Sequence, residues 1–415
     1  MNTFTLVFVA LLVLGTTLQL WLLLRQEAHV RAHRGLVPGE FSERISLEAH
    51  QKAADYSIAR AKFGRFEVLF GAVLAALWTL GGGLEWLTRF WARWEIGVTP
   101  SGVGMILSAL LIMGLLDLPG AVYRTFVLEA RFRFNRTTPR RFALDMGIQG
   151  LLFLLLVTPL AWLVLWLMDG EQPLWWVYVW ATWMAFTLLL TWAFPVFIAP
   201  LFNRFTPLED MDLGQRVQRQ LRACGYTARG VFIMDGSRRS SHGNAYFTGF
   251  GGQKRVVFFD TLISRLSPDE IEAVLAHELG HCKLRHMLHH MLVTAVLSLA
   301  GLALLDWLTT QAWFYTGLGV SSPSHAGALL LFLLVVPVFT VFLHPLFSFI
   351  MRQREFEADE YAVKQTSRRS LAQALVKLYR DNASTLTPDP LYSIFHDTHP
   401  PASVRLAHIS SKIGR

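Results

Sequence analysis

A mainly α-helical protein built around seven membrane spans, with a small polar domain on one side of the bilayer, is the fold that three observations predict. The 415 residues are 53% hydrophobic and only 16% charged, with a mean hydropathy of +0.38. Soluble domains are about 45–50% apolar and about 25% charged. Seven apolar runs approach the roughly 20 residues that a hydrocarbon core requires. Lys and Arg are confined almost entirely to alternate connecting segments. Such a composition excludes a disordered chain, which needs low hydrophobicity and high net charge. The net charge of +8 is spread in this membrane pattern rather than in one basic patch, so nucleic-acid binding is not expected.

The spans are read at 1–24, 68–84, 96–116, 147–168, 174–200, 288–310 and 326–350. The first carries no charge, has no basic residue before Arg25 and lacks a small-residue cleavage site, so it reads as a permanent span rather than a signal peptide. Segment 25–65 holds eight Lys and Arg, 123–146 holds six, 201–287 holds twelve and 351–415 holds ten, leaving only Arg89 and Arg93 elsewhere. Basic loops stay on the cytoplasmic side, which predicts the N-terminus outside and the C-terminus inside. The chain divides into 1–200 with five spans, a polar segment 201–287, a two-span hairpin 288–350 and a polar segment 351–415. The two polar segments together are large enough for one compact domain. Cys224 and Cys282 stand in no CxxC pair and read as ordinary thiols.

Within the first polar segment, Val231–Met234, Asn244–Thr248 and Arg255–Phe259 have strand-like composition. Gly249, Gly251 and Gly252 are expected to turn the last two into a hairpin. An edge strand around Asn244, Ala245 and Tyr246 can receive an extended peptide through main-chain hydrogen bonds; a purely structural small sheet is the alternative. Ser267-Pro268-Asp269-Glu270 then reads as a helix start with a capping box. Ile271, Val274, Leu275 and Leu279 recur at helical spacing.

That helix carries His277-Glu278-Leu279-Gly280-His281. At i and i+4 the two imidazoles share a face, the separation that two ligands of one tetrahedral zinc need. Glu278 points beside the metal and can take a proton from a bound water and pass it to a leaving amine. A hydrolytic zinc needs a third protein ligand and one open position. Arg354-Glu355-Phe356-Glu357-Ala358-Asp359 supplies candidates: Glu355 can ligate, with Asp359 on the same face orienting a ligand imidazole. Glu357 is the competing ligand by composition, and an ordinary exposed acidic face is the alternative for the whole segment. Spans six and seven form a hairpin, which returns its two ends, and hence the two motifs, to one membrane surface. His399 can donate to a developing oxyanion. His286, His289 and His290 read as membrane-interface histidines. Arg238, Arg239, Arg352 and Arg354 are candidates for gripping a substrate carboxylate.

Taken together these residues resemble the type I CAAX prenyl protease family of seven-span zinc metallopeptidases. His277 through His281 fits the family's zinc helix, and Glu355 through Asp359 its E-x-x-A-D segment. Ser240 through Phe247 resembles a stretch ending in NAYF, His399-Pro400-Pro401 a C-terminal HPP, and Ala199 through Asn203 with Phe205–Leu208 an upstream block. The resemblance implies a gluzincin-like domain below a ring of spans that encloses a chamber. It implies one zinc on His277, His281 and Glu355, with catalytic roles for Glu278, Asp359 and His399. It also implies removal of the last three residues from prenylated Cys-a-a-X proteins. The chain lacks the long acidic insertion of animal members and an endoplasmic-reticulum retrieval tail. Both departures point to a bacterial member in the inner membrane, and they leave open whether the substrate is prenylated. The expected contacts are a peptide or protein substrate and membrane lipid, with no obligate protein partner. Two rivals stand beside this reading. One is a membrane quality-control metalloprotease of the heat-shock type. The other is a seven-span receptor or transporter with a structural zinc, which would require a fourth protein ligand.

Overall fold

The computed structural model describes residues 2–170, 172–225, 227–248 and 253–411. The membrane layer begins with α1 (Thr3–Ala32), followed by α2 (Leu47–Trp78) and α3 (Gly83–Ala92), which meet at a 46° bend. Then come α4 (Val98–Tyr123), α5 (Pro139–Asp169) and α6 (Trp175–Ala193). Among the described residues six helices are long and apolar enough to cross a bilayer, and the bent pair α2–α3 raises the number to as many as seven. Leu69, Val73, Leu77 and Trp86 stand exposed on the bent pair. Apolar surface of that kind is stable only against lipid. Inside the bundle, Phe8, Leu84, Leu305, Phe314 and Leu331 are wholly buried in one core.

Two spans extend well past the apolar runs that reveal them. Helix α2 begins at Leu47, some twenty residues before run 68–84. Its first half is polar and carries the chain from the bilayer surface into the apolar layer. Helix α4 continues into a π-helical segment, Arg124–Glu129, five residues after Pro119. Proline removes a backbone donor and disturbs the helical ladder.

The polar domain has its own core. Strands β1 (Phe205–Pro207), β2 (Thr227–Met234), β3 (Ala245–Thr248) and β4 (Gln253–Phe259) form a sheet in the order β1-β2-β4-β3. The β2–β4 pair is parallel and the other two pairs are antiparallel. All three expected strands are present. Gly249, Gly251 and Gly252, the expected turn, lie outside the described residues. Helix α7 (Met211–Ala223) and helix α8 (Pro268–Lys283) cover the sheet. Val217, Leu221, Phe258, Ile271 and Leu279 interlock between them with almost no exposure.

Helix α8 starts as its sequence predicts. Ser267 accepts from the Glu270 N–H, the Glu270 carboxylate accepts from the Ser267 N–H, and Pro268 occupies the first turn. The chain then turns at Arg285, whose φ of 57° is left-handed, and enters α9 (His286–Thr309). It returns through α10 (His325–Thr340) and α11 (His344–Gln365). Helix α11 carries the seventh span directly into the polar domain, so Glu355 and Asp359 stand on the continuation of a membrane helix. Helices α12 (Arg368–Asp381), α13 (Pro390–His396) and α14 (Ala402–Ser411) complete the domain.

Helices α8 and α11 cross in close contact at Gly280. A Cβ there would lie 3.0 Å from the Ala358 Cα and 3.2 Å from its carbonyl oxygen. Both neighbours are backbone and cannot swing aside. Gly280→Ala is therefore expected to force the helices apart and cost about 1–3 kcal/mol. A lowered melting temperature together with reduced metal retention would be the signature; a variant that melts and retains metal like the parent would refute the close-packing argument.

Candidate metal site and active site

The α8–α11 crossing brings three donors together. His277 Nε2 lies 3.3 Å from His281 Nε2 and 3.4 Å from Glu355 Oε2, and His281 Nε2 lies 3.3 Å from Glu355 Oε1. A tetrahedral ion with bonds of about 2.0–2.1 Å holds its donors roughly 3.3–3.4 Å apart, so these side chains fit one. Glu355 is only 4% exposed, and its Oε2 has no hydrogen-bond partner. A buried carboxylate oxygen without a donor is costly unless a cation answers it. Among the described residues this is the one group of three or more His, Cys, Asp or Glu able to hold a metal. It has three donors, so the fourth protein ligand that a structural zinc requires is not supplied.

Each imidazole is held from behind. Asp359, fully buried, places Oδ1 2.9 Å from His277 Nδ1. Arg405 grips that carboxylate with both arms of its guanidinium, Nε to Oδ2 at 2.8 Å and Nη2 to Oδ1 at 2.6 Å. Burial would lower the pKa of His277, but the Asp359 and Glu355 carboxylates outweigh it and raise it to about 9. His281 Nδ1 faces His286 Nδ1 at 3.0 Å, and His286 Nε2 faces Glu357 Oε2 at 2.8 Å.

No sequence motif points to Arg405, and His286 is not at the membrane interface expected for it. His286 is instead buried against His281. Glu357, the competing ligand, reaches His286 and stands apart from the three-donor group. The one sequence signal for Arg405 is a charge isolated among the apolar positions of α14, where it is 7% exposed.

Glu278 is beside the three donors and makes no hydrogen bond or ion pair with the described residues. Burial pushes its carboxyl above the ordinary range, with the His277 and His281 rings opposing. His399 places Nε2 3.5 Å from Glu355 Oε1 and lines a cavity of about 780 Å³. That cavity extends from His399 along α2 and the π-helical segment, past Tyr56, Arg60, Glu129 and His396. Strand β3 is at the sheet edge and packs against α8, with one side paired to β4. The Asn244 carbonyl accepts from Phe259 N–H, its side chain accepts from Ala245 N–H, and Tyr246 is partly buried. Just upstream, Ser240 bridges Asn135, and the His242 ring stacks on Phe134 at 4.3 Å. This stretch ties the sheet to the membrane bundle. Three of the four proposed carboxylate-gripping arginines are committed elsewhere. Arg239 pairs with Asp145 and Arg238 with Asp235, while Arg352 donates to the carbonyls of Ser393, Ile394 and Asp397. Arg354 is in the same position of having no place in the cavity lining. Cys224 is buried and Cys282 half-buried, and the two are not joined in a disulfide.

A membrane-helix bundle whose polar domain joins an HExxH helix to a glutamate on the helix that returns from the last two spans defines an integral-membrane metallopeptidase. Comparisons with known proteins agree. Residues 26–204 match the family described as "CAAX prenyl protease N-terminal, five membrane helices", and residues 207–413 match "Peptidase family M48". The chain is 32% identical to the Arabidopsis thaliana CAAX prenyl protease 1 homolog, with 89% of each chain covered. It is 32% identical to CAAX prenyl protease 1 of Saccharomyces cerevisiae over 89% of this chain and 87% of that one. The crystal structure of S. mikatae Ste24p superposes with a TM-score of 0.90 at 28% identity, covering 99% of both chains. The chain belongs to peptidase family M48, in its CAAX prenyl protease 1 branch, and is a metalloendopeptidase acting on peptides or proteins.

Proposed function

We propose that this protein is a zinc endopeptidase that removes the last three residues from prenylated Cys-a-a-X substrates. Its zinc would be held by His277, His281 and Glu355. The observation that carries the reading is three donors at tetrahedral spacing, with His399, which reaches Glu355, lining an adjoining cavity. The names of its relatives supply the substrate class. Zinc, when bound, polarises the scissile carbonyl and makes water nucleophilic near neutral pH.

The residues divide the remaining work. Glu278 takes the proton of the attacking water and returns it to the leaving amine; its raised pKa makes it a better proton acceptor near neutral pH. His399 faces the cavity and donates to the oxyanion. The Asp359 carboxylate accepts a hydrogen bond from His277 Nδ1–H, which leaves Nε2 free to ligate, and Arg405 keeps Asp359 ionised. On the other side, His281 Nδ1–H donates to His286, whose Nε2–H donates to Glu357, fixing the tautomer that His281 needs. Asn244, Ala245 and Tyr246, on the sheet edge beside α8, bind the extended peptide by main-chain hydrogen bonds. Basic segments on one side support an outside N-terminus and a cytoplasmic catalytic domain. The compact segment 201–287, without an acidic insertion, supports a bacterial inner membrane.

His286→Ala is expected to weaken zinc binding roughly 10–100-fold while the fold persists, measured by competition with a fluorescent chelator. Unchanged zinc affinity would exclude the His286 relay. The substrate class is tested by cleavage of a farnesylated Cys-a-a-X peptide beside its unprenylated twin. Preference for the farnesylated peptide, abolished by chelator, is expected. Equal cleavage of both, with misfolded membrane proteins also consumed, would favour quality-control proteolysis instead.

A further inference from the structure

A second site lies away from the catalytic centre, where α1 leaves the apolar layer and α2 enters it. Arg31 and Arg34, just beyond the first span, converge with Lys62 on α2 and Arg131 after the π-helical segment on a cavity of about 320 Å³. Its one acidic lining residue, Asp55, is already held by both arms of Arg34 at 2.7 and 2.8 Å. Glu27 answers Arg31, Arg65 and Lys62 together. Arg131 makes no ion pair among the described residues and lies over the Phe132 ring. Five cations against two carboxylates leave an excess of three positive charges.

Lys62 and Arg131 also border a neighbouring cavity of about 490 Å³. Its walls are apolar and aromatic: Phe63, Phe66, Tyr123 and Val127. Phe66, Tyr123 and Val127 are about half exposed, on helices that continue into the apolar layer. A basic cavity at the bilayer surface therefore opens directly onto an apolar groove that descends along the spans. An ordinary lipid-facing helix surface has the second feature without the first.

We infer that this paired cavity binds an anionic phospholipid, the headgroup among Arg31, Lys62 and Arg131 and one acyl chain along Phe63, Phe66 and Val127. Charge complementarity selects the headgroup, and each basic residue near an anionic lipid surface contributes about five-fold in affinity. None of these side chains touches the three-donor group, and of them only Phe63 also lines the cavity of about 780 Å³, so variants at Lys62, Arg131 and Val127 separate the site from catalysis. It is built where Tyr56 of α2 packs with Leu128 of the π-helical segment, with Phe132 just after it and with Ala383 of the polar domain, so an occupied groove would brace that junction.

The test is native mass spectrometry of the full-length protein in detergent, titrated with phosphatidylglycerol and with phosphatidylcholine. Phosphatidylglycerol is expected to bind at least ten-fold more tightly. Lys62→Gln with Arg131→Gln should weaken it roughly 25-fold, with the melting temperature and peptidase activity in detergent retained. Val127→Trp, which fills the groove without touching charge, should also weaken it. Equal binding of the two lipids, or phosphatidylglycerol binding indifferent to both variants, would overturn the proposal. So would displacement by inorganic phosphate, which assigns the cations to a free anion, or by a farnesylated peptide, which assigns the groove to substrate.

Discussion

Replacing Glu278 by Gln should lower peptide cleavage by roughly 10²–10⁴-fold, the usual contribution of general acid–base catalysis. Metal content and melting temperature should stay unchanged. The Glu278 side chain makes no hydrogen bond or ion pair with the described residues, although it follows the first ligand histidine directly on α8. Glutamine keeps the shape and removes the proton acceptor, so nothing structural is lost with the charge. Burial already raises this carboxyl above its ordinary pKa, which suits a group that must accept a proton near neutral pH and give it up again. The check is kcat measured on the purified variant, with metal analysis of the same sample. Full activity with metal bound would remove Glu278 from the mechanism.

The second large effect is expected at Arg405. Its guanidinium is buried, forked onto Asp359, and 3.7 Å from Glu355. Arg405→Leu leaves the Asp359 carboxylate, 0% exposed, with only His277 beside it. Removing one partner of a buried pair costs about 3–5 kcal/mol. Arg405→Lys should recover only part, since an ammonium offers a point charge where the site needs a planar fork. Adding Asp359→Asn to Arg405→Leu should recover part of the stability by removing the stranded charge. Chemical denaturation in mild detergent distinguishes these cases. A loss below about 1 kcal/mol for Arg405→Leu would mean that the pair is solvated and structurally unimportant.

How far the sequence reveals this molecule depends on whether a signal is local. The zinc helix is legible because capping and periodicity act within a few residues: Ser267, Pro268 and Glu270 adopt the roles their order implies. The apolar runs are legible for the same reason, since bilayer thickness imposes a length. The polar half of α2 is not, because its helicity comes from packing through Tyr56 against Phe132 and Phe134 rather than from hydropathy. The meeting of Glu355 with the two histidines follows from hairpin topology and is legible in outline. Gly280 reads as a filler residue in the motif until Ala358 is seen against it. Arg405 and His286 escape for two different reasons. Arg405 reaches the site across a tertiary contact from 46 residues beyond Asp359. His286 follows a left-handed residue, Arg285, so helical periodicity from His281 no longer tells where its ring points.

The central claim is a single zinc on His277, His281 and Glu355. Zinc-edge X-ray absorption on the purified, active protein, with metal quantified per chain, tests it most directly. One zinc per chain with nitrogen and oxygen neighbours at about 2.0–2.1 Å and no sulfur, lost in Glu355→Gln, is the predicted result. An active preparation without metal, a sulfur neighbour at about 2.3 Å, or full zinc occupancy in Glu355→Gln would contradict it.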